Sequence, residues 1–386
     1  MNYNNISIHI FHNILWSKYK GGVFTEIGEI ALSENVNVQF TQIAETESDR
    51  VGLSGVDLTY HGYPYKLMFK GAYGAVPRWT MVKAMFGEVW NTQEEVVLLP
   101  GFHTPEYFAM LLAAKLRGKV VGVFCDSTEF DRPRSFIRGL FKRLFFSQCD
   151  MFFGYGERSH DYLKMYGAKD PHIYFRCQAA ALPHDYDATS VPARRLAAMP
   201  PSDAPRYLYV GRMSPEKGLD TLLHAFVQVV HALPKAQLVL VGGGPLTDSL
   251  RKLVLELGLG HSVVFAGSMD VDALRVEYLR ATCFVLPSTS EPWGLVVNEA
   301  LSYGCPVVVS HRCGCVPELV INGKSGYVFT AGDQAELADK MQKATHTFAD
   351  PLVTAHQCLE VISAFTPEAA ARQILSGCQA TVARKK

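Results

Sequence analysis

The sequence lacks an excess of either charge. Its 386 residues include 37 Lys and Arg and 37 Asp and Glu, so the formal net charge is zero. General binding to nucleic acid needs a surplus of basic residues to neutralise phosphates, and this class of partner is therefore not expected. Such a balance does not exclude local basic segments.

Disulfide spacing, a signal peptide and a long apolar run are also missing. The nine cysteines are scattered, and Cys313 and Cys315 have no second pair of Cys or His at zinc-ligand spacing. Residues 1–5 lack the basic-then-apolar layout of a signal peptide. No run reaches the ~18 apolar residues needed to span a bilayer. We expect a cytoplasmic protein with reduced cysteines and no metal. It would be either soluble or peripheral at the membrane.

Short apolar strands alternate with helical stretches along the whole chain. The predicted strands are residues 6–14, 36–42, 96–99, 119–124, 151–153, 207–210, 237–241, 263–265, 283–286 and 306–309. Runs rich in Val, Ile and Phe without polar alternation are typical of parallel sheets covered on both faces. Gly21 and Gly22 are predicted to form a turn between the first strand and a helix over residues 25–33.

A proline-rich segment at 192–205 divides this alternation in two. It has four prolines and no periodicity, which is typical of a linker. A single core rarely grows past about 250–300 residues, so two α/β domains are expected. We predict Rossmann-like domains over 1–195 and 203–362, with a C-terminal helix at 365–382 that belongs to the first.

Two cations follow the first strand of the second half. Arg212 and Lys217 flank a tight turn at the carboxyl end of that strand, where open α/β sheets bind ligands. Ser214 and Pro215 can begin the next helix, and two cations beside a helix N-terminus suit a diphosphate. A solvated basic loop is the alternative.

Two glutamates bracket a predicted helix start. Glu291 lies in the loop after strand 283–286, and Glu299 lies about one turn into the following helix. The amides around Gly294, Leu295 and Val296 would be unpaired donors, which bind phosphate oxygens well. Either glutamate alone could serve the helix dipole or stand exposed in a loop. The pair in this context indicates a site for a sugar and a ribose.

Several motifs follow one another in a fixed order through the second half: Gly-Arg…Glu-Lys-Gly at 211–218, Gly-Gly-Gly-Pro at 242–245, Glu-Pro-Trp-Gly…Asn-Glu-Ala at 291–300, Gly-Cys-Pro-Val at 304–307, and Gly…Glu…Gly…Gly at 314–326. With these motifs, residues 207–343 resemble the nucleotide-binding half of glycosyltransferase family 4. The resemblance implies the α/β GT-B fold, with two Rossmann-like domains facing across a cleft and the C-terminal helix crossing back to the first domain. It also implies a retaining, metal-independent hexosyltransferase with a nucleotide diphosphate sugar as donor and no other cofactor.

The resemblance further implies roles for single residues. Arg212 and Lys217 would grip the donor diphosphate, Glu291 would contact the transferred sugar, and Glu299 the ribose. The remaining donor-binding positions lie at glycines and at backbone amides: Gly211, Gly294, Leu295 and Val296. Front-face attack by the acceptor hydroxyl, without a protein nucleophile, is the implied mechanism.

The first half resembles the family only by pattern. Gly21 and Gly22 resemble the glycine loop that faces the donor phosphates. Many members carry a histidine after the strand equivalent to 119–124, where this sequence has Asp126. His103 is the other candidate for an acceptor site in this domain, although a lone histidine is more often structural.

Other functions stay open on the residues alone. A nucleotide-sugar epimerase of the same fold would need no acceptor, and a non-catalytic sugar-nucleotide-binding subunit would show no turnover. A Rossmann oxidoreductase is disfavoured, because Thr247 stands where the dinucleotide pattern needs glycine. Asp270 and Asp272 form the Asp-x-Asp pattern of metal-dependent glycosyltransferases, but they precede a predicted helix and indicate an N-cap.

A basic and aromatic segment runs from Arg132 to Phe146. At helical spacing its large apolar residues share one face and its cations lie mostly off it; the face comprises Phe136 or Ile137, Leu140, Phe141, Leu144 and Phe145, and the cations are Arg134, Arg138, Lys142 and Arg143. Such a helix suits an anionic membrane surface, and equally suits packing on its own sheet. Many members of the resembled family extend lipid-linked saccharides. We therefore expect a lipid-linked saccharide as acceptor, in cell-surface polysaccharide or glycolipid synthesis at the cytoplasmic face.

Overall fold

The computed structural model describes residues 6–48, 55–131, 136–201 and 203–386. The chain divides into two compact units. Unit 1 combines Met1–Ala181 with Phe365–Lys386, and unit 2 is Leu182–Ala364. The division after Ala181 lies ahead of the segment that was predicted as the linker.

Unit 1 contains a seven-stranded sheet. Its strands are β1 Ser7–Ile14, β2 Asn37–Thr46, β3 Lys66–Ala72, β4 Val96–Leu99, β5 Val120–Cys125, β6 Met151–Gly154 and β7 Ile173–Tyr174. The order is β3-β2-β1-β4-β5-β6-β7, and neighbouring strands pair in parallel. Six of these strands have the doubly wound order, whose direction reverses between β1 and β4.

Helices cover both faces of this sheet. They are α1 Lys18–Ser33, α2 Arg78–Asn91, α3 Pro105–Leu116, α4 Phe136–Ser147, α5 Glu157–Met165 and α14 Pro367–Lys385. On one face α1 and α14 pack through residues such as Phe24 and Ile374. On the other face Met85, Met110 and Phe145 bring α2, α3 and α4 onto the strands. The C-terminal helix therefore completes the core of unit 1, as predicted.

The predicted turn at Gly21 and Gly22 is wrong. Both glycines lie inside α1, which begins at Lys18. A Cβ atom on Gly21 would lie 2.7 Å from the carbonyl oxygen of Tyr60. Glycine is used here because a neighbouring segment approaches the helix closely, and a reversal of the chain is not involved.

Unit 2 contains a six-stranded parallel sheet of the same winding. Its strands are β8 Arg206–Val210, β9 Gln237–Val241, β10 Val263–Gly267, β11 Cys283–Leu286, β12 Val307–Ser310 and β13 Gly326–Phe329. The order is β10-β9-β8-β11-β12-β13. The direction of winding reverses between β8 and β11, the position where doubly wound sheets bind ligands. Its helices are α6 Val191–Ala198, α7 Leu219–Ala232, α8 Thr247–Glu256, α9 Val271–Arg280, α10 Leu295–Ser302, α11 Val316–Leu319, α12 Gln334–Thr347 and α13 Pro351–Ile362.

The predicted linker is partly a helix of unit 2. Pro192 occupies the first turn of α6, where proline is tolerated. Arg195 of this helix is fully buried and donates to the carbonyl oxygens of Tyr278, Leu279 and Ala281 at 3.1, 3.5 and 2.8 Å. These hydrogen bonds fix the segment to the C-terminal end of α9, so it packs as part of the domain.

Within the ranges that the structure describes, no helix is both long and apolar enough to cross a bilayer.

Candidate functional site

The loops at the carboxyl edge of the unit 2 sheet are packed backbone against backbone. A Cβ atom on Gly242, after β9, would lie 2.1 Å from the carbonyl oxygen of Gly211, after β8. A Cβ atom on Gly314, after β12, would lie 1.8 Å from the carbonyl oxygen of Pro292. The amide of Gly314 also donates to the carbonyl of Glu291 at 2.9 Å. Only glycine permits these approaches. The loops after β8, β9, β11 and β12 are close-packed as a result, and we term them together the rim.

Lys217 and Glu291 meet in this rim. The Lys217 ammonium forms an ion pair with Oε2 of Glu291, and the side chains are only 16% and 15% exposed. The loops that carry them are joined as well, because the Thr289 amide donates to the Glu216 carbonyl at 2.8 Å. The structure thus brings together, from the two strands β8 and β11, two residues that the sequence placed in one site.

Arg212 lies in the loop after β8, which also carries Lys217. Its side chain is 52% exposed, and Nη2 lies 3.5 Å from Oε1 of Glu216. The Arg212 carbonyl accepts a hydrogen bond of 2.7 Å from the hydroxyl of Tyr209, which fixes the loop. Its guanidinium can therefore reach an anion at the rim while its backbone stays in place.

The start of α10 has the geometry that the sequence predicted. Gly294 is the N-cap, with φ at +99°, in the left-handed region that favours glycine. Leu295 and Val296 are the first residues of the helix, and amides in a first turn have no partner within their own helix. In the same loop, the indole of Trp293 donates to Oδ1 of buried Asn298 at 2.8 Å. This helix start lies after β11, beside Glu291.

Glu299 lies one turn further along α10. Its Oε2 accepts a hydrogen bond of 2.8 Å from the hydroxyl of Tyr278, which comes from α9. The carboxylate is thereby held by a neighbouring helix of the same unit. The ribose contact that the resemblance implies for Glu299 stays a prediction.

The predicted residues of unit 1 lie at the carboxyl edge of their own sheet. His103 is exposed in the loop after β4, with its ring edge-on to Phe102 and Tyr107. Asp126 is exposed directly after β5. Gly21 and Gly22 lie in the first turns of α1, which follows β1. A role for these residues in an acceptor site stays a prediction.

Residues 197–347 match the family model of the glycosyl transferases group 1. This part of the chain is similar to the group 1 glycosyltransferases. It includes the whole rim of unit 2, from Arg212 to Gly314.

Curated relatives are similar over about a third of the chain. The sequence is 36% identical over 147 residues to sulfoquinovosyl transferase SQD2 of Arabidopsis thaliana, which covers 37% of this chain and 27% of that protein. It is 33% identical over 138 residues to the GDP-mannose-dependent alpha-(1-6)-phosphatidylinositol monomannoside mannosyltransferase of Mycolicibacterium smegmatis, covering 34% and 36%. The chain thus spans about a third of the length of these curated relatives.

Solved structures are similar over almost the whole chain. A sucrose-phosphate synthase from Thermosynechococcus elongatus has a TM-score of 0.68 at 20% identity, covering 98% of both chains. HepE from Anabaena, in complex with UDP, has a TM-score of 0.70 at 16% identity, covering 96% of this chain and 99% of that one. These likenesses, together with the two parallel sheets, show the GT-B fold.

The Asp-x-Asp pattern at residues 270–272 has a structural role in unit 2. Asp270 caps α9 by accepting from the Ala273 amide at 2.8 Å, as predicted. Asp272 pairs with Arg275 at 3.3 Å. Among the residues described, no three His, Cys, Asp or Glu side chains are grouped so as to hold a metal ion.

Two notable side chains were missed by the sequence analysis. Tyr278 lies in an ordinary apolar stripe of α9, and no local pattern points to its partner Glu299. Lys20, in the first turn of α1, is only 2% exposed. Its amine has no hydrogen-bond partner among the described residues and lies 4.6 Å from the ring centre of Phe124 and 5.0 Å from that of Tyr155. Burial lowers the pKa of Lys20 to about 8.

Proposed function

We propose that this chain is a retaining glycosyltransferase that moves a hexose from a nucleotide diphosphate sugar to a saccharide or lipid-linked acceptor. The observation that carries the proposal is the rim of unit 2. Arg212, Lys217, Glu291 and the start of α10 converge there, on both sides of the point where the sheet reverses its winding.

The charges of this rim suit the departure of a nucleoside diphosphate. As the bond between the anomeric carbon and the phosphate oxygen breaks, negative charge builds on the diphosphate. Arg212, Lys217 and the amides at the start of α10 would stabilise this charge in place of a metal ion. The acceptor oxygen bonds to the anomeric carbon on the face that the diphosphate leaves, and the acceptor proton passes to the leaving phosphate oxygen.

A bound donor would offer a new partner to each residue of the Lys217–Glu291 pair. The ammonium can turn to the diphosphate, and the carboxylate can accept from hydroxyl groups of the transferred sugar. The ion pair keeps both charges satisfied at low exposure. The pair would therefore be exchanged for donor contacts at no loss of charge balance.

The direct test is a panel of nucleotide sugars incubated with the protein, with and without candidate acceptors. We expect release of nucleoside diphosphate that quickens with the right acceptor, and a product that keeps the anomeric configuration of the donor. An epimerase would yield an altered nucleotide sugar without any acceptor, and a non-catalytic subunit would bind without turnover. Thermal shifts with UDP and GDP identify the base, because a ligand of the native state raises its stability.

We propose in addition that α4 docks the enzyme on an anionic membrane. Its outward face, termed the α4 face, carries five exposed apolar side chains: Phe136, Ile137, Leu140, Phe141 and Leu144. Phe136 is 90% exposed. Leu112 and Leu116 of α3, the helix next to α4, are exposed as well. Five large apolar residues on the outside of one helix exceed what packing on its own sheet requires.

The residues that form the α4 face differ from those predicted. Phe145 was predicted to lie on it, but Phe145 and Phe146 are buried and fix α4 to the unit 1 core. Lys142 turns toward α5, where its amine contacts the Tyr162 hydroxyl and lies 5.0 Å from the ring centre of Tyr166. The exposed cations of the helix are Arg138 and Arg143. Arg132 and Arg134 lie outside the described residues. An acceptor held in the bilayer would fit this surface.

A further inference from the structure

Glu299 is held by a residue of a different helix. The Tyr278 hydroxyl, near the end of α9, donates to Oε2 of Glu299 on α10 across 2.8 Å. The bond joins residues that are 21 positions apart. A carboxylate on an isolated helix could adopt several rotamers, and this hydrogen bond favours one of them.

The phenol that makes this bond is itself fixed from several sides. Its ring is buried and stacks on Tyr303, with centroids 5.7 Å apart and planes at 14°. A third ring, Phe284 of β11, lies 6.0 Å away. Arg195 binds the backbone at the same place, with 3.1 Å to the Tyr278 carbonyl and 2.8 Å to that of Ala281. The Tyr278 hydroxyl therefore has little freedom to move.

The proton of this hydrogen bond stays on the tyrosine. Burial, and then the neighbouring Glu299 carboxylate, hold the pKa of Tyr278 well above its ordinary value. The phenol therefore keeps its proton near neutral pH and donates a hydrogen bond to Oε2 of Glu299.

We propose that Tyr278 is a positioning residue for the nucleoside end of the donor, holding the Glu299 carboxylate where it accepts hydrogen bonds from the ribose hydroxyls. This rests on the proposed function, in which Glu299 contacts the ribose. Tyr278 itself would touch no part of the donor. Its removal should weaken binding only for ligands that carry ribose hydroxyls.

The experiment compares UDP and GDP with their 2′,3′-dideoxy forms by calorimetry, in wild type, Tyr278→Phe, Glu299→Ala and the double variant. A hydrogen bond to a charged group corresponds to a factor of about 10 in affinity or more. We expect the wild type to bind its preferred diphosphate at least about 10-fold more tightly than the dideoxy form. In Tyr278→Phe this ratio should fall several-fold, with affinity for the dideoxy form unchanged, and the double variant should match Glu299→Ala.

Tyr207→Phe is the matched control. Tyr207 is also buried in unit 2, and its hydroxyl bonds to Thr345 Oγ1 at 2.6 Å and to the Met341 carbonyl at 3.1 Å, on other elements. The substitution Tyr207→Phe also removes a phenol hydroxyl from the interior of unit 2. A general loss of stability would therefore lower ligand affinity in both variants. The ratio for the two ligand forms should stay at the wild-type value in Tyr207→Phe.

The outcomes separate this inference from the proposed function. Equal loss of affinity for both ligand forms in Tyr278→Phe, or an unchanged ratio while Glu299→Ala abolishes it, overturns the positioning role and leaves the donor site intact. A wild type that binds neither diphosphate, or a Glu299→Ala variant that keeps full discrimination, overturns the ribose assignment and the positioning role with it.

Discussion

Replacing Lys217 by methionine removes one partner of an ion pair that water hardly reaches. The Glu291 carboxylate, whose side chain is 15% exposed, would be left without its counter-charge. Breaking a buried pair from one side costs about 3–5 kcal/mol. Because both side chains keep some exposure, we expect Lys217→Met to lower the free energy of unfolding of unit 2 by about 3 kcal/mol.

Arg212→Met is the natural comparison. Arg212 and Glu216 are 52% and 38% exposed and lie 3.5 Å apart, and an exposed pair of this kind contributes under ~1 kcal/mol. Both cations are nevertheless assigned to the leaving diphosphate. Each variant should therefore lose about 100-fold in the rate of sugar transfer, the usual scale for one electrostatic stabiliser. Stability and activity should thus separate in Arg212→Met and fall together in Lys217→Met.

Urea unfolding and initial transfer rates measure the two effects. A third variant, Lys217→Met with Glu291→Gln, removes both charges and should recover most of the lost stability without recovering turnover. Full transfer activity in Arg212→Met would refute the assignment of the rim to the diphosphate. Stability losses that simply add in the double variant would refute the coupling of Lys217 to Glu291.

Four further results are expected. Glu299→Ala should weaken binding of free nucleoside diphosphate in calorimetry, whereas Glu291→Ala should reduce turnover and leave that binding nearly unchanged; variants that both keep turnover and affinity would make the glutamates structural. Transfer should persist in excess chelator, and its complete loss with recovery in manganese or magnesium would contradict a metal-independent mechanism. Wild type should co-sediment with anionic vesicles at low salt, and the double variant Leu140→Glu/Phe141→Glu should not. A wild type that does not bind these vesicles would favour a soluble acceptor. Lys20→Met should raise the free energy of unfolding at pH 7 by about 3 kcal/mol, since the lowered pKa reports a penalty for the buried charge; urea unfolding that shows a destabilised variant would contradict this.

The centres of the two sheets could be predicted closely, and the edge strands of the unit 1 sheet could not. Strands β4, β9 and β11 have the predicted bounds, because an apolar run between turn residues leaves little choice. Strand β3 was missed: its sequence Lys-Leu-Met-Phe-Lys-Gly-Ala is half exposed at the edge of the sheet and lacks a continuous apolar run. A parallel strand can be recognised from sequence when it is buried on both faces, because its residues then form a continuous apolar run.

The candidate site shows the same division between local and distant information. Arg212, Lys217 and Glu291 lie in the loops after β8 and β11, so their common location can be worked out from the topology. The hydrogen bond from Tyr278 to Glu299 depends on how two helices pack, and no spacing in the sequence encodes it. Arg195 is a similar case, since its partners are backbone carbonyls whose position only the fold determines.

The return of α14 to unit 1 sets an order for events during synthesis. Residues of α14, among them Ile374, Leu375 and Cys378, fill the same core as the first strand of the chain. A ribosome makes all of unit 2, residues 182–364, before it reaches this helix. Until α14 has been made, part of the apolar core of unit 1 stays exposed to solvent. Unit 2 has all of its elements by then and can fold. The emerging chain should therefore acquire protease resistance first over residues 182–364, and its N-terminal portion should be the one that chaperones bind.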